Sequence, residues 1–219
     1  MAITAVNGAT VSIASAYAAS KVMSAITNAS EAVATLEASH GIVVNDIMEV
    51  TSGWERLTGL LVRAGAVATN DVTFEDINTT STTLYPAGEG TGSIREISTW
   101  TAIGQILNDT FTSEGGDQEF LEYQYLSQDI KSSIPISQTP VGINFTLHDD
   151  ITLAGQIAVQ AAMDAAVPAG LRIRLKDGKV MYGNGYWALG AIPILEGNNI
   201  VRRAVSLRLV GGRVIQYAS

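Results

Sequence analysis

The sequence predicts a mainly β fold, a β-sandwich or barrel with one α-helix on its flank. In many segments apolar and polar residues alternate with period two, which is the pattern of a half-buried strand. Asp177-Gly178 separates two such segments, and Asp-Gly between alternating runs is a strong hairpin signal. Only residues 151–166 have the spacing of a helix. About ten strands against one helix therefore indicate the mainly β class.

The N-terminal third is predicted to consist of strands joined by turns. Residues 1–30 are small and polar and are expected to form an N-terminal arm or edge strands. Asn70-Asp71 is a reasonable turn pair between the last two strands of this region. The predicted strands are 11–17, 21–26, 32–38, 46–51, 57–68 and 72–77.

Residues 78–93 are predicted to form a long loop or an extended hairpin arm. The segment is rich in Thr, Gly and Ser. Loops of this length within compact domains are usually functional or mobile. Because Leu84 and Tyr85 are its only apolar anchors, we expect the segment to be mobile in the isolated chain and to become ordered on a partner surface.

The helix at 151–166 is predicted to lie between two groups of strands. Asp150 or Thr152 is expected to cap its first turn, where a side-chain oxygen accepts a free backbone N–H, and Pro168 is expected to end it. A type I′ turn is expected at Asp177-Gly178, and the last strand is expected to end at Val210-Gly211-Gly212. The strands predicted around the helix are 94–107, 119–126, 141–148, 171–176, 179–183 and 205–209.

The charges argue against nucleic-acid binding through phosphates and favour self-association. The formal net charge is −8, whereas a protein that binds phosphates needs a basic surface. Residues 171–219 carry eight basic and two acidic residues, a net charge of +6, and residues 1–170 carry a net charge of −14. Opposite net charges in two parts of the chain favour head-to-tail association, in which one part contacts the other part of a neighbouring copy. A Gly- and Ala-rich β protein that does not assemble remains the alternative.

The sequence contains no recognisable motif for catalysis, metal binding or a cofactor. Neither His40 nor His148 accompanies a Gly-x-Ser-x-Gly nucleophile motif. The acids at 109–117 lack the spacing of a calcium loop. Gly88-x-Gly90-x-Gly92 has no following Lys or helix, so a flexible loop is favoured over a phosphate loop. The chain also has no cysteine, no evident signal peptide and no apolar run of the ~18 residues that a transmembrane helix needs.

Five acidic residues lie close together in the sequence, at Glu114, Asp117, Glu119, Glu122 and Asp129. A solvated polar face explains them without any further function. The wall of a DNA conduit explains them equally well, because duplex DNA carries one negative charge per ~1.7 Å and an acidic wall repels it. A glycosidase pair would need a cleft lined with aromatic residues, which make up only 6% of the chain.

A series of short motifs runs along about four fifths of the chain. Its C-terminal members are a basic strand, the Asp177-Gly178 turn, the strand Tyr182-Gly183-Asn184-Gly185 and the final Val210-Gly211-Gly212. The upstream members are Ser52-Gly53-Trp54, the Thr-rich run 78–83, Gly115-Gly116-Asp117-Gln118-Glu119-Phe120 with Tyr123 and Tyr125, and Asp149-Asp150. In this order the motifs resemble those of the tail tube proteins of long-tailed bacteriophages.

The resemblance implies one domain, residues 1–219, that catalyses no reaction and needs no cofactor. It implies six-membered rings that stack head-to-tail around a tape-measure protein, with DNA passing through the lumen at infection without specific binding. Further implied partners are the tail terminator and the baseplate or tip proteins, and no membrane is involved. The protein would be made in the host bacterial cytoplasm and located in the tail of the virion.

Three groups of residues take roles under this resemblance. The lumen-facing acids would be Glu114, Asp117, Glu119, Glu122 and Asp129. The inter-ring loop would comprise Thr79, Thr80, Leu84, Tyr85, Gly88, Gly90 and Gly92. The complementary basic surface would comprise Arg172, Arg174, Lys176, Arg202, Arg203 and Arg208.

Three kinds of alternative stay open from the sequence. A tube protein of a contractile injection system, or another tail-channel or neck component, would share the fold. A β-sandwich carbohydrate-binding module would instead be a monomer with exposed aromatic residues in one cleft. An enzyme would have a pocket that contains groups with shifted pKa values.

Overall fold

The structure is a computed structural model that describes residues 8–197 and 199–218. Within these ranges the chain forms fourteen strands and one helix, which confirms the prediction of a mainly β fold with a single helix. The helix is α1 (Ala154–Ala165). The strands are β1 (Thr10–Tyr17), β2 (Lys21–Ile26), β3 (Val33–Leu36), β4 (Ile47–Ser52), β5 (Leu61–Ala68), β6 (Asp71–Phe74), β7 (Gly92–Ile103), β8 (Thr112–Glu114), β9 (Gln118–Tyr123), β10 (Ser132–Gln138), β11 (Gly142–His148), β12 (Ala169–Arg174), β13 (Val180–Leu189) and β14 (Arg202–Tyr217).

Six strands close into a small antiparallel barrel. Their order is β2-β3-β6-β5-β4-β7, and pairing of β7 with β2 completes the ring. Because side chains alternate along a strand, every second residue points inward. Met23, Met48, Val62, Phe74 and Ile94 fill the interior and are almost fully buried. A closed ring of strands leaves no free edge in this half of the protein.

Strand β7 connects the barrel to an open sheet. Its first residues pair with β2 and β4, and its later residues, from Ile97, pair with β1. The sheet then continues as β12-β13-β14-β11-β8. Since β1 pairs on both sides and β2 belongs to the barrel, the prediction of edge strands in residues 1–30 is wrong for these two strands; residues 1–7 lie outside the described ranges. The outer edge of the open sheet is the three-residue strand β8.

Helix α1 covers one face of the open sheet. Val159 of the helix is fully buried against the sheet, in a cluster with residues of β1, β11, β12, β13 and β14. Gly155 allows the close approach of helix and sheet, because a Cβ atom there would lie 2.8 Å from the Ile103 Cα. The helix ends at Ala166, which adopts the left-handed conformation (φ 52°), and Pro168 follows, as predicted.

The predicted cap of this helix is wrong. The N-cap residue is Leu153, which makes no capping hydrogen bond with its side chain. Asp150 Oδ1 instead accepts hydrogen bonds from the Thr152 N–H and hydroxyl in the turn before the helix. The Gln156 side chain accepts the Asp150 N–H at 3.0 Å and donates to Asp149 at 2.8 Å. A residue of the helix itself thus orders the entering turn.

The hairpin between β12 and β13 forms at the predicted place with a different turn. The Leu175 N–H donates to the Lys179 carbonyl, so the loop has three residues rather than two. Gly178 has a positive φ of 91°, whereas Asp177 is not in the left-handed region. A type I turn followed by a left-handed glycine gives this geometry, and the expected type I′ turn is therefore wrong.

A third apolar cluster joins the barrel to the sheet, and Tyr217 is central to it. Tyr217 is 1% exposed, and its hydroxyl accepts the Arg63 N–H of β5 at 3.0 Å. Strand β14 reaches this position because it continues past Gly211-Gly212, where the sequence predicted its end. Both glycines have positive φ and lie in an irregular stretch of the β13–β14 pairing. Burial raises the pKa of Tyr217 to about 12.

We expect Tyr217→Phe to destabilise the protein at neutral pH and to reduce its sensitivity to alkali. Loss of the hydroxyl leaves the Arg63 N–H without its acceptor, at a cost of about 1–3 kcal/mol. Because the pKa of Tyr217 is higher in the folded protein, the tyrosine ionises at lower pH in the unfolded chain. The free energy of unfolding therefore keeps its full value below about pH 10. It falls by up to about 1.4 kcal/mol per pH unit as the pH rises from there toward the folded pKa. Urea unfolding at about pH 8 and about pH 11 measures both effects. If the variant loses as much stability as wild type between these two pH values, Tyr217 does not have different pKa values in the folded and unfolded states.

Candidate assembly surfaces

Strands β9 and β10 form a hairpin that projects from the rest of the fold. They pair only with each other, as a separate two-stranded sheet, and we call residues 118–138 the arm. Every residue of β9 is exposed, as is nearly every residue of β10. Leu126 is fully exposed at the tip, and Ile130 is 80% exposed. Within the described part of the chain, the arm therefore packs against no other element.

Apolar side chains lie on both faces of the arm. Leu121 is paired with Ile134 on one face, and Phe120 with Pro135 on the other. All four of these positions are solvent-exposed. A single two-stranded hairpin is marginally stable in water, and contiguous exposed apolar side chains mark an interaction site. The arm consequently has the character of a contact element that lacks its partner surface.

The neck of the arm is well defined. Gly115 and Gly116 both have positive φ, and a Cβ atom on Gly115 would collide with the carbonyl oxygen of Pro140. The Gly116 N–H donates to the Thr139 carbonyl at 3.1 Å, and the Thr139 N–H donates to the Asp117 carbonyl at 3.0 Å. These hydrogen bonds join the two ends of the hairpin next to the outer edge of the sheet.

The structure places four of the five predicted acids on the arm or at its neck. Asp117 lies at the neck and Asp129 at the tip. Glu119 accepts a hydrogen bond from the Ser137 hydroxyl, and Glu122 forms an exposed ion pair with Lys131 at 3.1 Å. The acids therefore share one projecting hairpin.

Glu114 lies apart from these acids, on the edge strand β8. It forms an ion pair with Arg208 of β14 at 2.5 Å. The pair spans Gly142 of the intervening strand β11, where a Cβ atom would clash with the Arg208 guanidinium. A hydrogen bond with Asn144 and the positive charge of Arg208 lower the pKa of Glu114. One predicted acid thus neutralises one residue of the predicted basic surface.

The six predicted basic residues differ in their ion-pair partners. Arg202 pairs with Glu196, and Arg203 pairs with Asp149 at 2.9 Å near the start of the helix. Lys176 lies in the turn after β12. Among the described residues, no carboxylate lies within ion-pair distance of Lys176, nor of Arg172 and Arg174 of β12.

Arg172 and Arg174 line a cleft at the junction of barrel and sheet. Its volume is about 590 Å³, and Trp100 and Tyr182 contribute its aromatic side chains. The Arg172 guanidinium lies 4.8 Å from the centre of the Trp100 ring, a cation–π contact. Burial lowers the pKa of Arg172. We call this site the junction cleft.

The two histidines have structural contacts. His40 Nδ1 accepts the Ile42 N–H, and its Nε2 lies 2.9 Å from the Thr69 carbonyl. His148 ends β11, as predicted, and its Nδ1 lies 3.0 Å from the Val201 carbonyl. In the described part of the chain, no three His, Asp or Glu side chains are grouped in a way that would hold a metal ion. Over the same residues, no helix has the length and apolar character needed to cross a membrane.

Comparison with known protein families matches residues 52–218 of the 219-residue chain to the phage tail tube protein, TTP. The chain belongs to this family. A search of curated proteins found no match. Tail tube proteins are structural components of the virion tail and not enzymes, which confirms the prediction that this chain catalyses no reaction.

The loop that precedes β7 is anchored within the tail tube subunit itself. Thr79 is fully buried, and the Asn28 side chain donates to the carbonyls of Thr79 and Tyr85 at 2.8 and 2.9 Å. Tyr85 packs edge-on against Trp54, whose indole N–H donates to the Pro86 carbonyl at 2.8 Å. The segment is therefore a long loop and not a hairpin arm, and these contacts argue against the expectation that a partner surface is needed to order it.

Only part of this loop remains available for contacts. Thr80, Leu84 and Gly88 are exposed, whereas Tyr85 and Gly90 are buried. Gly90 lies against the Trp54 ring, where a Cβ atom would come within 2.7 Å. Gly92 begins β7 and pairs with β2 and β4. The inter-ring role predicted for this loop thus stays a prediction for its exposed rim.

We expect chymotrypsin to cut the native tail tube subunit first in the arm and much later in the loop. The arm offers Phe120, Tyr125 and Leu126 on an exposed hairpin, whereas Tyr85 is 7% exposed and packed on Trp54. Mass spectrometry of the earliest fragments identifies the cuts, with the urea-denatured chain as the control in which both regions are cleaved. Early cleavage after Tyr85 would contradict the packing of the loop.

Proposed function

We propose that the chain builds a phage tail tube by self-assembly into stacked rings of six subunits, through which DNA passes. The observation that carries the proposal is the arm, with exposed apolar side chains on both faces. In a monomer the apolar side chains of such a hairpin stay exposed to water, whereas in a tube they are buried against a neighbouring subunit. This favours assembly over a monomeric carbohydrate-binding module.

Ring closure uses the edges of the open sheet. Strand β8 presents unpaired backbone groups along its outer side and is only three residues long. An open edge is a hazard in a monomer, but it is satisfied when a neighbouring subunit pairs with it. Six copies joined in this way form a continuous wall around a lumen, in which no subunit keeps a free edge.

The lumen is net negative, so that DNA slides without binding. The subunit carries a net charge of −8, and the arm and its neck hold Asp117, Glu119, Glu122 and Asp129 against the single base Lys131. Glu119 and Glu122 are our first candidates for the channel wall. Glu114 contributes less because Arg208 neutralises it. DNA is a transient occupant, and the tape-measure protein fills the lumen before infection.

The ends and the exterior of the tube supply the other contacts. The rim of the 78–93 loop, with Thr80 and Leu84, contacts the adjacent ring. The tail terminator and the baseplate or tip proteins bind the terminal rings. The subunit is made in the host cytoplasm before it joins the tail.

Light scattering combined with size-exclusion chromatography, followed by negative-stain electron microscopy of concentrated protein, tests the proposal. We expect a concentration-dependent shift from subunits to rings or hollow tubes. A strictly monomeric species at all concentrations, without tubes after prolonged incubation, would overturn it.

A further inference from the structure

We propose that the tip of the arm, residues 124–131, docks in the junction cleft of a second copy of the chain. The proposal rests on the self-assembly argued above and names the surface that receives the arm. It concerns the tip, beyond the β9 acids assigned to the lumen, so that one arm both borders the channel and anchors a neighbouring subunit.

The tip is a preformed turn whose contacts lie within the arm, where Tyr125 packs against Tyr123 and Lys131 pairs with Glu122. Every residue from Gln124 to Lys131 is exposed. The Gln124 side chain donates to the Gln128 carbonyl at 2.6 Å, and the Gln128 N–H donates to the Tyr125 carbonyl at 2.9 Å. A turn that is already ordered loses little conformational entropy on binding. The side chains it presents are Tyr125, Leu126 and Ile130, together with Asp129.

The junction cleft offers a matching combination of apolar and charged groups. Apolar walls come from Ile47, Ile97 and Val180, and the aromatic rings of Trp100 and Tyr182 complete them. Its volume of about 590 Å³ lies within the ~300–1,000 Å³ range of sites that bury small ligands, and it suits a few side chains such as Leu126 and Ile130.

The charged residues that line the cleft leave it positive, because Arg63, Arg172 and Arg174 stand against the single carboxylate of Asp46. Arg63 is held by Glu75 at 2.5 Å. Arg172 and Arg174 have no carboxylate partner among the described residues. Asp129 of the tip likewise has no ion-pair partner there, so a cation of the cleft and the acid of the tip complement each other.

A charge exchange across the contact tests the proposal on the full chain. Arg174 and Asp129 are both exposed in the subunit, and neither lies in a core cluster, so Asp129→Arg and Arg174→Glu should fold normally. We expect each single variant to raise the lowest concentration that gives tubes by about fivefold or more, because like charges then face each other. The chain with both changes should return to within about twofold of wild type.

The matched controls are Glu55→Arg and Arg56→Glu, two exposed positions of the turn before β5, which should assemble like wild type. Circular dichroism confirms that each variant is folded. The docking site would be overturned if the single variants assembled at the same concentration as wild type. It would also be overturned if the double variant needed as high a concentration as the more impaired single variant. A wild-type chain that forms no tubes would instead overturn the proposed function.

Disulfide cross-linking gives an independent measurement, because the chain has no cysteine. Leu126→Cys combined with Ala218→Cys, at the rim of the junction cleft, should give covalent dimers and higher species in assembled tubes under mild oxidation. Leu126→Cys combined with Arg56→Cys, at an exposed position of the turn before β5, is the control. Equal cross-linking of both pairs would contradict docking in the cleft.

Discussion

Excision of the arm is expected to abolish tube formation while the subunit still folds. Residues 118–138 are replaced by Asn-Gly, which joins Asp117 to Thr139 through a tight turn. The neck supports this junction, because the Thr139 N–H already donates to the Asp117 carbonyl at 3.0 Å. No residue of the arm belongs to any of the three core clusters, so thermal stability should change little.

Circular dichroism melting and negative-stain microscopy of the excised chain measure the two effects separately. We expect a cooperative melt close to that of wild type, and no rings or tubes at concentrations about tenfold above those that suffice for wild type, since about 1.4 kcal/mol of lost contact energy already shifts association tenfold. A milder variant, Phe120→Ser with Leu126→Ser, keeps the hairpin backbone and should weaken assembly to an intermediate extent. Normal tubes from the excised chain would show that the arm is dispensable.

Charge reversal at Glu119 and Glu122 is expected to leave tubes intact and to block DNA passage. The Glu119→Lys/Glu122→Lys variant loses an exposed ion pair with Lys131, and such pairs contribute only about 0–1 kcal/mol. On the channel wall, however, the two lysines attract the DNA backbone instead of repelling it. Infectivity should fall by about tenfold or more, with DNA retained in adsorbed particles.

Glu31→Lys/Glu55→Lys is the matched control for this variant. It makes the same change in net charge at exposed positions of two turns of the barrel. Particles with the control should remain infectious. Equal infectivity of both double variants would place Glu119 and Glu122 away from the channel wall.

Local periodicity predicted most of the regular structure. Strands β1, β2 and β11 lie within a residue or two of their predicted bounds, and helix α1 lies within 151–166. In β11 and α1 mainly one face of the element is buried, so the burial pattern is present in the local sequence. The predicted strand at 57–68 begins later, at Leu61, because Leu57 is buried from a turn rather than a strand. An apolar residue signals burial, but it does not distinguish a turn from a strand.

Strand β10 was missed because its sequence lacks that pattern. Pro135 interrupts the segment, and proline argues against a central strand. In the arm, Pro135 lies in a two-stranded sheet next to an irregular register, where the loss of an N–H donor is tolerated. The alternation of Ile134 and Ile136 with Pro135 and Ser137 was the one available signal. Because both faces of the hairpin are exposed, its strands do not have the usual one apolar and one polar face.

The contacts that fix the loop and the basic residues depend on long-range register. Asn28 and Thr79 are 51 positions apart, and Glu114 meets Arg208 only because β8 and β14 flank the same strand. Composition therefore predicted a mobile loop and a basic surface, whereas tertiary packing anchors the loop and pairs Arg202, Arg203 and Arg208 with carboxylates. Arg172 and Arg174 line the junction cleft, and neither has a carboxylate partner among the described residues.

Helical reconstruction by electron cryomicroscopy of tubes grown from the wild-type chain tests the central claim most directly. We expect a hollow tube of stacked six-membered rings in which each arm leaves its own subunit at Gly115-Gly116 and ends in the junction cleft of a neighbour, beside Arg174. Tubes in which the arms project freely from the exterior, or a chain that stays monomeric under all conditions, would contradict it.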